Sequence, residues 1–191
     1  VESDNIQTRI EAINDALEPV WNNIQSGLEK VRVSKEPTGR RYIQLLDITK
    51  KVMDNIDPHT PCAQQCSYCC YMAVSISEHE AKLISEYTGI PFVPQPYFKT
   101  ADEIHSTMER WRRTYTEVPC TFLKQGKCSI YAVRPHACRL HHTIADDNAC
   151  CNLANHRSTP AVTLNHLHKA FIGLFYKWPV GEIREFFPKS T

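Results

Sequence analysis

Cys62-Ala63-Gln64-Gln65-Cys66-Ser67-Tyr68-Cys69-Cys70 places four thiols within nine residues. Five more cysteines follow, at Cys120, Cys128, Cys138, Cys150 and Cys151. Thiols this dense hold a soft metal ion or an iron–sulfur cluster. Nine is an odd count, whereas a secreted disulfide framework has an even count in a shorter chain. Neighbouring residues rarely bridge to each other, so the pairs Cys69–Cys70 and Cys150–Cys151 suit metal better than disulfides. Inert buried thiols are the remaining alternative.

The spacing defines two clusters, Cys62-x3-Cys66-x2-Cys69-Cys70 and Cys120-x7-Cys128-x9-Cys138-x11-Cys150-Cys151. A tetrahedral zinc or a cubane cluster takes about four ligands. Adjacent cysteines diverge, so each pair either serves two neighbouring sites or gives one ligand and one packing thiol. From Pro58 to Ser77 there is no Asp, Glu, Lys or Arg, which suits burial around a metal. From Val118 through Ala145 there is no acid, but Lys124, Lys127, Arg134 and Arg139 are present. A zinc with four thiolates carries a formal charge of about −2, and basic neighbours offset it and lower thiol pKa values. A solvated basic run is the plainer reading of the same residues.

Flanking this region, the pattern is helical. Ile6, Ile10, Ile13, Leu17, Val20, Ile24 and Leu28 mark one helix face, which Pro19 is expected to kink or restart. After a turn with Pro37 and Gly39, a second stripe runs through Tyr42, Leu45, Leu46, Thr49, Val52 and Met53 and ends near Pro58. Ser77 and Glu80 make a capping box for a helix that stops at Gly89. Another helix runs through Ile104, Met108, Trp111 and Tyr115, and Arg110, Arg112 and Arg113 read as its solvated face. Thr159 and Pro160 are expected to start a last long helix through Leu164, Leu167, Phe171, Leu174 and Phe175, before a short one with Ile183, Phe186 and Phe187. The expected fold is mainly α: a helical hairpin (1–57), an irregular cysteine-rich metal-binding core (58–152) and C-terminal helices (153–191), in one domain of 1–191 with no large sheet.

The Ser75-Ile76-Ser77-Glu78-His79-Glu80-Ala81 helix start joins the clustered cysteines to a further block, Cys120-Thr-Phe-Leu-Lys-Gln-Gly-Lys-Cys128-Ser-Ile-Tyr131-Ala-Val-Arg134-Pro135-His-Ala-Cys138-Arg139. Together they resemble the YkgJ-type cysteine-cluster family, a zinc- or iron-chelating domain, over roughly residues 60 to 152. The resemblance implies Cys62, Cys66, Cys69, Cys70, Cys120, Cys128 and Cys138 as metal ligands, with one of Cys150 and Cys151 as the final one. It also implies that Arg134 and Arg139 orient ligands and balance charge, and that Tyr131 packs over the site. The family shows two residues between its first two cysteines, and this chain has three. Cys62-x3-Cys66-x-Tyr68-Cys69 also matches the radical-SAM motif, but no strand–helix repeat supports the barrel such enzymes use. His136, His141 and His142 flank Cys138, and with nine thiols available they read as surrounding groups, His141 being the best exception.

Charge is nearly balanced, with 22 Lys+Arg against 21 Asp+Glu, which argues against nucleic-acid binding by bulk phosphate attraction. No apolar stretch approaches the roughly 20 residues that cross a bilayer. No signal peptide is visible, and the chain begins at Val1 without Met. The expectation is a cytoplasmic metal-binding protein with a Cys-thiolate zinc or iron centre, in a structural, storage or sensing role. Zinc is favoured because its sites are frequent in reduced cytosol and tolerate irregular spacing. The alternatives are an iron–sulfur redox enzyme or electron carrier and a thiol redox sensor. No Ser/His/Asp or Cys/His triad stands out, so an enzyme is the weaker expectation, and no protein partner is specified.

Overall fold

The computed structural model describes residues 2–62, 66–98, 100–147, 151, 160–162, 164–175 and 177–189. Its helices are α1 (Glu2–Val33), α2 (Thr38–Ile56), α3 (Glu78–Thr88), α4 (Ala101–Tyr115), α5 (His136–Arg139), α6 (Asn165–Phe175) and α7 (Ile183–Phe186). Its strands are β1 (Ser75–Ser77), β2 (Leu123–Lys124), β3 (Lys127–Cys128) and β4 (Val180–Glu182). The fold is mainly α, with two sheets of two strands each among the described residues. None of the described helices is long and apolar enough to cross a membrane.

The chain divides into two compact units, Val1–Ala63 with Arg139–Leu174, and Gln64–Cys138 with Phe175–Thr191. The hairpin lies whole in the first unit, whereas the cysteine-rich segment contributes to both.

In the first unit the two stripes face each other. Ile13, Leu17 and Ile24 of α1 and Val52, Met53 and Ile56 of α2 share one core with Ile144 and Leu167. Pro19 does not end α1, which continues to Val33. An interior proline costs about 3 kcal/mol, and apolar burial on both sides of it offsets that loss. Tyr42 is fully buried and meets Phe171 of α6 edge-on at 5.4 Å between ring centroids. Arg41 donates from Nε to the Val31 carbonyl at 2.9 Å and from Nη2 to the Arg32 carbonyl at 3.2 Å. It thereby satisfies carbonyls that the end of α1 leaves unpaired.

α6 starts at Asn165, later than expected. Pro160 to Val162 runs alongside His142 to Ile144 instead, with Ile144 N–H donating to the Pro160 carbonyl at 3.0 Å and Val162 N–H to the His142 carbonyl at 2.9 Å. Those backbone groups already have partners, so the segment has no need of a helix. The expected cap Thr159 lies outside the described residues.

The second unit is built on short elements. β1 pairs antiparallel with β4, Ser75 facing Glu182 and Ser77 facing Val180. The Ser77–Glu80 capping box forms at α3, and Gly89 ends the helix at φ 71°. A second box, Thr100 with Glu103, starts α4. Ile76, Ala81, Ile84, Phe122, Ile130, Ile183, Phe186 and Phe187 form the core, together with Cys120. Gly181 is required here, because a Cβ would stand 2.9 Å from the Phe186 ring and 2.6 Å from Gln95. Trp111 is buried and its Nε1 donates to Glu185 Oε2 at 2.8 Å. Arg110 pairs with Glu185 as well, at 2.9 Å, and Arg112 pairs with Glu109, so these arginines serve their own surface.

Candidate metal centre

Three chain segments bring thiols into the second unit. The first is a 3₁₀ turn, Tyr68–Tyr71, held by Cys70 N–H donating to Ser67 O at 2.9 Å and Met72 N–H to Cys69 O at 3.2 Å. The second begins at Cys120 and runs through the β2–β3 hairpin, whose register sets Cys128 opposite Leu123. Its two-residue turn holds Gln125 at φ 51° and Gly126 at φ 74°, the left-handed pair that a tight hairpin requires. The third is α5, which carries Cys138.

Main-chain bonds join the first two segments. Cys120 N–H donates to the Cys70 carbonyl at 2.8 Å, and Glu117 N–H to the Tyr71 carbonyl at 2.8 Å. Glu117 adopts φ 67°, a strained angle for a residue with a Cβ.

The thiols lie within electrostatic reach of one another. Cys70 feels Cys69, Cys120 and Cys128, and Cys138 feels Cys69, Cys120 and Cys128. The Cys70 thiol bonds to the Cys69 sulfur and lowers Cys69 to about 7 against the opposing effect of burial, with Arg134 adding to the lowering. Cys70 is raised in return, by that bond and by burial. Burial raises Cys120, Cys128 and, most strongly, Cys138, although Cys138 keeps part of its surface exposed. Arg134 opposes the rise at Cys128 and Cys138, and its guanidinium carbon sits 4.1 Å above the centre of the Tyr131 ring. Tyr131 thus supports the cation that faces the thiols.

The remaining expected residues divide by unit. Cys66 belongs with this group by unit, whereas Cys62, Cys151 and Arg139 belong to the first unit. Cys150 lies outside the described residues. Cys66, Cys69, Cys70, Cys120, Cys128 and Cys138 are free thiols, so no disulfide competes for them. Among the described residues no three His, Cys, Asp or Glu side chains are grouped closely enough to hold a metal ion between them. The donor set fits a soft metal by its chemistry: five neighbouring thiols, an arginine facing them and no acid between Val118 and Ala145.

His136 serves structure. The His136 ring Nδ1 lies 2.9 Å from Glu80 Oε1, which also accepts the His136 backbone N–H at 2.9 Å. Glu80 Oε2 accepts from Ser77 N at 2.8 Å and Ser77 Oγ at 3.1 Å. One buried carboxylate therefore caps α3 and anchors the start of α5. His141 and His142 belong to the first unit, where burial lowers the His141 pKa.

The sequence pattern predicts only the apolar face of a short helix in this stretch and does not single out Arg184 and Glu182. Glu182 is fully buried and Arg184 is 7% exposed, and the two form an ion pair. Arg184 also donates to the carbonyls of Cys70 and Val118, and Glu182 accepts from Val74 N–H at 3.1 Å. The available signal was a Glu–x–Arg pair set among Val180, Ile183, Phe186 and Phe187, since charge in an apolar run implies a buried partner. A separate cavity of about 560 Å³ lies in the first unit, lined by Leu28, Arg32, Arg41, His166 and Lys169 among others, and no cysteine lines it.

A mainly helical chain with this thiol cluster defines a metal-chelating protein. Residues 61–155 match the CxxCxxCC family model, described as a "putative zinc- or iron-chelating domain". Through that segment the chain belongs to this cysteine-cluster family. No match was found among curated proteins or among solved structures.

Proposed function

We propose that this protein binds zinc through thiolates drawn from Cys66, Cys69, Cys70, Cys120, Cys128 and Cys138, about four to an ion, with Cys62, Cys150 and Cys151 as metal donors in their own right, in a structural, storage or sensing role. The supporting observation is the gathering of thiols from the Tyr68–Tyr71 turn with those of the distant hairpin and α5 in one unit, where their fields overlap and Arg134 faces them. Zinc would draw these sulfurs to itself, replace their protons and cross-link the three segments, while Arg134 on Tyr131 offsets the thiolate charge. The same reading places the protein in the cytoplasm, where thiols stay reduced.

Elemental analysis of protein purified without oxygen tests this. Colourless protein with stoichiometric zinc is expected, and Cys69→Ser, Cys120→Ser and Cys138→Ser should each lower the zinc content. Reduced protein that retains no metal would overturn the reading. Brown protein with iron and acid-labile sulfide would replace zinc by an iron–sulfur cluster and reopen a redox or electron-carrier role.

A second reading, a thiol redox sensor, draws on one feature. Cys69 is partly exposed, is lowered to about 7, and adjoins Cys70. Mild peroxide should then release metal or form bridges at Cys69 first, and thiols that stay reduced and loaded would reject it.

A further inference from the structure

We infer that Arg184, outside the family-matched segment 61–155, is a positioning residue of the thiol centre, setting the spacing of the Cys70 and Cys120 loops. The inference rests on the metal-binding reading above. Arg184 Nη2 donates to the Val118 carbonyl at 2.6 Å and the Cys70 carbonyl at 3.1 Å. Nη1 and Nη2 each lie 3.3 Å from the Met72 carbonyl, and Nε lies 3.4 Å from the Pro119 carbonyl. One side is thus the main chain at Cys70, and the other is the two residues directly before Cys120.

A planar guanidinium has five N–H donors in a fixed fork and can hold two loops at a set separation, whereas a lysine ammonium is a single point. The fork is itself held in place. Glu182 pairs with Nη1, and the guanidinium carbon lies 5.5 Å from the centre of the Tyr115 ring. Glu182 is fixed in turn by accepting Arg184 N–H at 2.6 Å and Val74 N–H at 3.1 Å. The bridge reinforces the Cys120 N–H bond to the same Cys70 carbonyl. Ligand loops tied on their non-metal side keep their donors at the distance an ion needs.

The test compares Arg184→Lys and Arg184→Met with the wild type and with Met108→Ala, a change in the Trp111–Val180 cluster of the same unit, which contains no cysteine. Cobalt(II) reports the centre through its thiolate charge-transfer and ligand-field bands, and zinc affinity is read by chelator competition. Arg184→Met should weaken zinc about 10- to 100-fold and shift the cobalt bands. Arg184→Lys should weaken zinc less and still shift the bands, because it restores charge but cannot bridge both loops. Met108→Ala should lose stability and keep the wild-type spectrum. Arg184 variants with wild-type bands and unchanged zinc affinity would overturn the inference. So would variants that fail to fold even with excess zinc, since Arg184 would then be a core residue first. Wild type that takes up neither cobalt nor zinc would instead overturn the metal reading itself.

Discussion

The two units solve the same problem by different means. In the first, long helices satisfy their own backbone, and the interior is filled by apolar side chains such as Leu45, Val52 and Ile56. In the second, short elements and turns leave many carbonyls without a ladder partner, and buried ions supply the missing donors and acceptors. Arg184 serves carbonyls on two loops, and Glu80 serves donors on two elements. The contrast teaches that irregular backbone can be buried only where polar side chains replace secondary structure. Those ties lie beside the thiols, so the unit poorest in regular structure is the one best suited to a metal as an added cross-link.

Metal removal should break the comparison most. Chelation under reducing conditions withdraws an apparent binding free energy on the order of 10–16 kcal/mol if zinc is structural. Amide exchange should then accelerate throughout 64–138 while α1 and α2 stay protected, and equal protection before and after chelation would remove the structural role. Leu45→Ala should do the reverse: Leu45 is fully buried in α2, and its truncation should cost the first unit about 2–5 kcal/mol in urea unfolding without changing zinc content.

Smaller effects sharpen the picture of the second unit. Ser77→Ala removes the hydroxyl of the α3 capping box and should cost about 1 kcal/mol, seen as faster exchange in the first turn of α3. His79 stacks on Trp178 at 4.6 Å between centroids. Burial lowers its pKa, with Glu80 and Glu86 opposing and Lys82 assisting. The folded unit therefore resists a proton that the unfolded chain accepts near pH 6.5. Its contribution is whole above that pH and is lost as pH falls through the folded value. Thermal melts of wild type should decline from about pH 7 to 5 more steeply than those of His79→Phe, and parallel curves would refute the assignment.

Much of this was legible from local signals. The stripes of α1 and α2, the capping box at Ser77 and the stop at Gly89 depend on residues a few positions apart. Their physics is short-ranged, so spacing alone reveals it. The late start of α6 was hidden, because Thr143 and Ala161 pair across a loop and no side-chain pattern announces a backbone bridge. Arg184 was hidden for the same reason: its acceptors are carbonyls 65 to 114 positions away, and every residue has a carbonyl. For the thiols the sequence revealed the cysteines and their family, but not which of them share a unit.

By itself, then, the sequence determined a mainly helical chain and a chemistry of soft-metal donors, because periodicity and thiol density are properties of neighbours along the chain. Tertiary structure alone decided that Cys70, Cys120, Cys128 and Cys138 fall together while Cys62 and Cys151 lie in the other unit. It also decided that a C-terminal arginine ties two of the cysteine loops. Contacts between distant segments are set by how cores fill and how buried charges find partners, and no local pattern encodes that.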